Sequence, residues 1–133
     1  MTDRTTVLNS LVSRPWESDG LHCWEFVCQV RRALFKCDAL PPVGTDLVED
    51  TGKRHVVFAS HPARLQWTEI ETPHDGDVVM MTRRGDLHAG IFLITDGRGL
   101  VWHCDAPHGV IADTLMELTQ LRRWKPTFYR LRS

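Results

Sequence analysis

Cys23, His88 and His103 are the residues of this chain whose types and spacing could do covalent chemistry. Cys23 stands in Gly20-Leu21-His22-Cys23-Trp24-Glu25-Phe26-Val27, where a loop with Pro15 and Gly20 ends and an apolar periodicity begins. Phe26, Val27, Val30, Ala33 and Leu34 recur at helical spacing. Cys23 lies three and four residues before the first two, so it shares their inward face. A thiol in the first turn of a helix meets unpaired backbone N–H groups and the positive end of the helix dipole. Both favour the thiolate, which is the nucleophile. Buried cysteines are more often small inert hydrophobes, so position alone does not make Cys23 reactive and a base has to be found.

His88 and His103 both fall inside runs that read as strands. His88 shares a face with Gly90, Phe92 and Ile94, and His103 shares one with Val101. If the hairpin loop between them has two residues (Asp96-Gly97) or four, Gly90 lies opposite His103. His88 is then its diagonal neighbour on the same face, about 7–8 Å away between backbones. An odd loop without a bulge would put the two on opposite faces, and the Asp-Gly pair favours the even case. A cysteine at a helix start, a histidine on a strand and a polar partner on the next strand follow the logic of a cysteine triad. The base takes the thiol proton and the third group fixes its tautomer. Gly90 beside His88 would leave room for a substrate chain. Strand histidines taken singly are usually core or rim residues. It is the three together that make a candidate site.

Residues 5–12 carry Val7, Leu8, Leu11 and Val12, a short amphipathic helix with Thr5 or Thr6 as a possible cap. The main helix is expected from about His22 to Phe35, broken by Ala39-Leu40-Pro41-Pro42-Val43-Gly44. Leu65 to Ile70 alternates as a short strand. Asp77 to Thr82, Leu87 to Thr95 and Leu100 to Cys104 read as three strands, with turns at Arg83-Arg84-Gly85-Asp86 and Asp96-Gly97. Ile111, Leu115, Leu118 and Leu121 suggest a helix over Val110 to Leu121, and Thr127 to Leu131 a closing strand. Helices first and an antiparallel sheet after is the α+β pattern.

The length of 133 residues suits one domain, 1–133, with a real core. An apolar fraction of 42% and a charged fraction of 25% are those of an ordinary globular protein. A net charge of -1 gives no case for nucleic acid, and no apolar run approaches a membrane span of about 18 residues. The N-terminus lacks the layout of a signal peptide, so the chain is expected to be made in the bacterial cytoplasm, where cysteines 23, 28, 37 and 104 stay free thiols. They form no CxxC pair. A thiolate and two histidines would supply three zinc ligands and nothing places a fourth, so neither metal nor other cofactor is expected.

The motifs resemble those of the NlpC-type, papain-like cysteine peptidases that cleave bacterial cell-wall peptides, and most of all the branch encoded by phages and prophages beside tail genes. The residues that carry the resemblance are Pro15-Trp16, Gly20 and His22-Cys23-Trp24-Glu25-Phe26-Val27, then Gly76-Asp77 with its apolar strand, His88-Ala89-Gly90-Ile91-Phe92-Leu93, Val101-Trp102-His103-Cys104 and Phe128-Tyr129-Arg130. It spans about residues 11 to 132, with 38 to 65 unmatched. The resemblance implies a papain-like fold with N-terminal helices on a small antiparallel sheet. It also implies Cys23 as nucleophile, His88 as base, His103 as the residue orienting the imidazole, and the Cys23 backbone N–H in an oxyanion hole.

Departures from the family fall around the substrate. Trp16 stands where the family usually has Tyr, and an indole N–H donates but does not accept. His22 replaces an Asp that helps bind the substrate's free amine, and Trp24-Glu25 replaces a Ser-Gly pair common outside the phage branch. The implied function is a cysteine endopeptidase acting on the peptidoglycan stem peptide, at the γ-D-glutamyl–diamino acid bond, in a virion tail or beside tail proteins. The alternatives are a tail structural or assembly protein with little activity, and an amidase or acyltransferase acting on another amide.

Overall fold

In the computed structural model the described residues are 4–12, 14–17, 21–36, 67–105 and 108–131. Two helices, α1 (Arg4–Val12) and α2 (Cys23–Phe35), precede six strands: β1 (Trp67–Ile70), β2 (Val78–Arg83), β3 (Asp86–Thr95), β4 (Arg98–Asp105), β5 (Gly109–Asp113) and β6 (Lys125–Leu131). The strands form one sheet in the order β1-β6-β2-β3-β4-β5, every pairing antiparallel. The chain is thus a mixed helix and antiparallel-sheet protein. The readings placed on residues 38–65, His55, His61 and Cys37 lie outside the described residues.

Alternation along the strands sorts the core into two sides. Val78, Met80, Leu87, Ala89, Ile91, Leu93, Cys104, Val110 and Tyr129 face the helices, where Cys23, Phe26, Val27 and Val30 of α2 pack on them. Val79, Met81, Phe92 and Val101 face the other way, onto Leu118 and Trp124. Phe26, Val27 and Val30 are fully buried. Each apolar side chain of this size contributes about 1.5–3 kcal/mol by leaving water, which seats α2 firmly against β3.

The hairpin between β3 and β4 has two loop residues: Thr95 pairs with Arg98 across Asp96 and Gly97. Both have positive φ, 51° and 76°, the type I′ geometry whose twist suits a tight hairpin. The register that follows pairs Ile91 with Trp102 and Phe92 with Val101, and one step further Gly90 faces His103.

Gly90 has a different task from the one its neighbourhood suggested. A Cβ there would stand 3.0 Å from the Trp102 carbonyl oxygen and 3.1 Å from both Met81 Cε and Val101 Cγ1. The space beside Gly90 is filled by the core, not kept for a substrate. Gly90→Val is expected to destabilise the fold by about 1–3 kcal/mol through overpacking, read as a lower urea midpoint; an unchanged midpoint would contradict this packing.

The helix expected over Val110 to Leu121 is replaced by two elements. Residues 109–113 form β5, and a short helical stretch follows that contains a π-helical turn, Glu117–Leu121. Thr114 and Glu117 explain the boundary. The Thr114 N–H donates to Glu117 Oε1 at 2.9 Å and the Glu117 N–H donates to Thr114 Oγ1 at 3.1 Å, a reciprocal capping box. Leu118 is fully buried, whereas Met116 and Leu121 are 73% and 75% exposed. The apolar spacing therefore spanned a strand and a helix rather than one helix face.

Candidate active site

His22 caps α2. Its backbone is extended, and its Nδ1 accepts the Glu25 N–H at 3.3 Å. That leaves Cys23 as the first helical residue, among the N–H groups that no helical carbonyl reaches. A histidine at this position thus does the N-cap work more often done by Asp, Asn, Ser or Thr. Cys23 is buried in a cluster that includes Leu87 and Ala89, the two neighbours of His88 along β3. Trp24 packs against this cluster. Trp16 packs on a separate cluster, with Leu21, Phe26 and Cys104.

His88 and His103 come together on the far face of the sheet, as the two-residue hairpin requires. His88 Nε2 and His103 Nδ1 are 2.9 Å apart. The rings meet edge to face, with centroids 5.0 Å apart. The chain of contacts continues beyond them. His103 Nε2 lies 2.8 Å from Asp113 Oδ2, which also accepts from Arg122 Nε at 2.6 Å. Asp113 is the last residue of β5, paired opposite Val101, which points it to the same face as His103. His103 is fully buried, and His88 and Asp113 are buried.

The polypeptide after the π turn completes the site. The Arg122 N–H donates to the Glu117 carbonyl and the Trp124 N–H to the Leu118 carbonyl, each at 3.1 Å. π-Helical turns are rare and concentrate at functional sites. Here the turn delivers Arg122 to Asp113 and lays Trp124 on His88, with ring centroids 5.1 Å apart and nearly parallel. The Arg83 guanidinium sits 3.9 Å from the centre of the Trp124 ring, within cation–π range. This cover shields one face of the His88 imidazole.

Electrostatics separate the cysteines. Burial foremost, aided by Glu25, pushes the Cys28 thiol up to about 12. Burial foremost, with the charges of Cys23 and Asp105, pushes Cys104 up to about 12. Cys104 points to the helix side, where its thiol reaches the Leu21 carbonyl at 3.5 Å. Both are packing residues.

Burial, the largest influence, holds His103 below its ordinary 6.5, and Asp113 opposes this only in part. For Asp113 burial acts upward, yet the hydrogen bonds from Arg122 and His103 outweigh it and hold the carboxyl below its ordinary 3.8. Both groups have folded pKa values below their unfolded ones. Each contribution is therefore complete above the unfolded value and lost as pH falls through the folded value. The melting temperature is expected to fall as the pH drops below about 6.5, and again below 3.8. His103→Gln should remove the first stage. A melting temperature flat from pH 7 to about pH 5 would contradict it.

His88, His103 and Asp105 are the metal-capable group among the described residues, with donor atoms within 4.8 Å of one another. A tetrahedral zinc holding both imidazoles at its usual 2.0–2.1 Å would set their nitrogens about 3.3 Å apart. The two nitrogens stand at hydrogen-bond distance, 2.9 Å, and three donors are the number of an open site rather than a closed structural one. As they stand, the two imidazoles form a hydrogen-bonded pair backed by Asp113.

Sequence reasoning singled out the cysteine and both histidines and missed Asp113, Arg122 and Trp124. Thr114-Leu115-Met116-Glu117 was the legible signal: a capping box marks a helix start there, which frees Val110 to Asp113 to be a strand. No protein-family model and no curated protein sequence matches this chain.

Proposed function

We propose that the protein is a cysteine endopeptidase of the papain-like, NlpC-type kind, acting on the stem peptide of bacterial peptidoglycan beside phage or prophage tail proteins. The observation that carries the reading is the buried chain His88–His103–Asp113, running back from a strand whose other side carries the Cys23 cluster. The chain offers a histidine base whose far nitrogen is already held, and the reading requires the Nδ1 of His88 to reach Cys23 past the β3 backbone that separates their clusters.

In the reaction the imidazole of His88 takes the Cys23 proton, and the sulfur attacks the scissile carbonyl carbon. The backbone N–H of Cys23, at the start of α2, helps hold the oxyanion. Collapse of the tetrahedral species breaks the C–N bond, and the imidazolium protonates the departing amine. Water, deprotonated by the same imidazole, then hydrolyses the thioester and frees the thiol. The stem peptide and the γ-D-glutamyl–diamino acid bond come from the motif resemblance. His22, engaged as the helix cap, supplies no fixed negative charge for a substrate amine. No helix among the described residues is long and apolar enough to cross a membrane.

Mass analysis of purified peptidoglycan after incubation tests the reading. Cut stem peptides with intact glycan strands are expected. New reducing sugar ends without cut peptides would overturn it, since those come from carboxylate-pair chemistry. Inactivity, with and without tail proteins, would favour a structural tail protein.

A further inference from the structure

We propose that Asp113 is a positioning residue that fixes the direction of the proton chain through the two histidines, with Arg122 holding it as an acceptor. The consequence for catalysis rests on the peptidase reading; the proton positions do not.

An ionised carboxylate has no proton to give. The 2.8 Å contact between His103 Nε2 and Asp113 Oδ2 therefore places a proton on Nε2. Arg122 donates to the same oxygen at 2.6 Å and cannot surrender its charge, so the oxygen keeps its role. A neutral His103 protonated on Nε2 carries its lone pair on Nδ1. That nitrogen is 2.9 Å from His88 Nε2, so His88 donates there. A neutral His88 with its proton on Nε2 bears its lone pair on Nδ1, the ring nitrogen nearest the β3 backbone. Cys23 belongs to the cluster on that stretch of β3. The order of tautomers thus runs from one carboxylate to the nitrogen of His88 that a thiol would address.

The reverse order fails at its first link. A proton on His103 Nδ1 would turn a bare Nε2 lone pair toward a carboxylate oxygen. His103 is 0% exposed and Asp113 2%, so no bulk water reaches the gap, and a mismatched buried pair is costly. Asp113 reaches neither the sulfur nor a substrate in this chain of contacts. It acts through His103.

Nitrogen-15 imidazole spectra of the full-length protein at about pH 7.5, where an ordinary histidine is neutral, test the proposal. His103 is expected in the Nε2–H form, and His88 with a proton on Nε2, its Nδ1 being bare or carrying the proton taken from Cys23. Asn at position 113 can donate as well as accept, so Asp113→Asn should move part of His103 to the Nδ1–H form. It should also slow alkylation of Cys23 at mildly acid pH by about tenfold, a tautomer effect of the kind seen when a triad Asp becomes Asn. Wild-type His103 carrying its proton on Nδ1 overturns the proposal even if the variant does not fold. So do tautomers that Asp113→Asn leaves unchanged. The spectra need no peptidoglycan, so failure of the peptidase reading would show separately, as absent peptide release with the tautomers in place.

Discussion

Cys23→Ala is expected to reduce release of stem peptides from peptidoglycan by at least about 10³-fold, the scale on which a covalent catalyst loses its nucleophile. The change removes one sulfur from a packed cluster and leaves the helix start, its His22 cap and the histidine chain in place. Circular dichroism should therefore remain that of the parent. Cys23→Ser keeps the size but offers a far less acidic group, and is expected to be nearly as inactive. His88→Ala should fall to a similar level, because nucleophile and base act as a unit and their losses do not add. Peptide release by Cys23→Ala at a rate near the parent's would mean that any activity belongs elsewhere.

The second large effect concerns the thiols themselves. With limiting iodoacetamide at about pH 6, an unperturbed thiol near 8.5 is almost wholly protonated. Cys28 and Cys104, pushed up to about 12, are further still from ionising, and both are buried. Cys23 starts α2, where backbone N–H groups and the helix dipole favour the thiolate. A neighbouring imidazolium would add to that. Peptide mapping should find Cys23 alkylated first, with Cys28 and Cys104 untouched until the protein unfolds. Equal labelling of the three would contradict the electrostatics of α2.

Much of this was legible from residue types. The apolar spacing of Phe26, Val27 and Val30 set both the helix and the face that Cys23 shares, because a helix start with one strong apolar stripe has few alternatives. Asp96-Gly97 fixed the hairpin, and the hairpin register put His88 and His103 on one face. Local turn chemistry was enough there.

The residues from 110 to 124 were harder. Ile111, Leu115, Leu118 and Leu121 are spaced like one helix face, yet Ile111 lies in β5 and Leu121 points to solvent. Periodicity counts apolar positions without asking whether one element bears them all. Asp113, Arg122 and Trp124 were invisible for the same reason. Their roles depend on β5 pairing with β4 and on the π turn, contacts that local patterns do not encode. Gly90 misled differently: a glycine beside a histidine suggests open space, but Met81, Val101 and a carbonyl occupy it. His22 is not among the usual N-cap residues and yet its Nδ1 accepts the Glu25 N–H, which only the backbone geometry could show.

The claim at the centre of this account is that His88, held from behind by His103 and Asp113, activates the Cys23 thiol. The rate of Cys23 alkylation from about pH 5 to pH 9, in the parent protein and in His88→Ala, tests it without any substrate. The parent is expected to react at a nearly constant rate down to mildly acid pH, since an ion pair of thiolate and imidazolium persists below the ordinary thiol range. His88→Ala should lose that plateau, react with one ionisation nearer 8.5, and be slower by about tenfold or more at pH 6. Superimposable profiles for the two proteins would contradict the account.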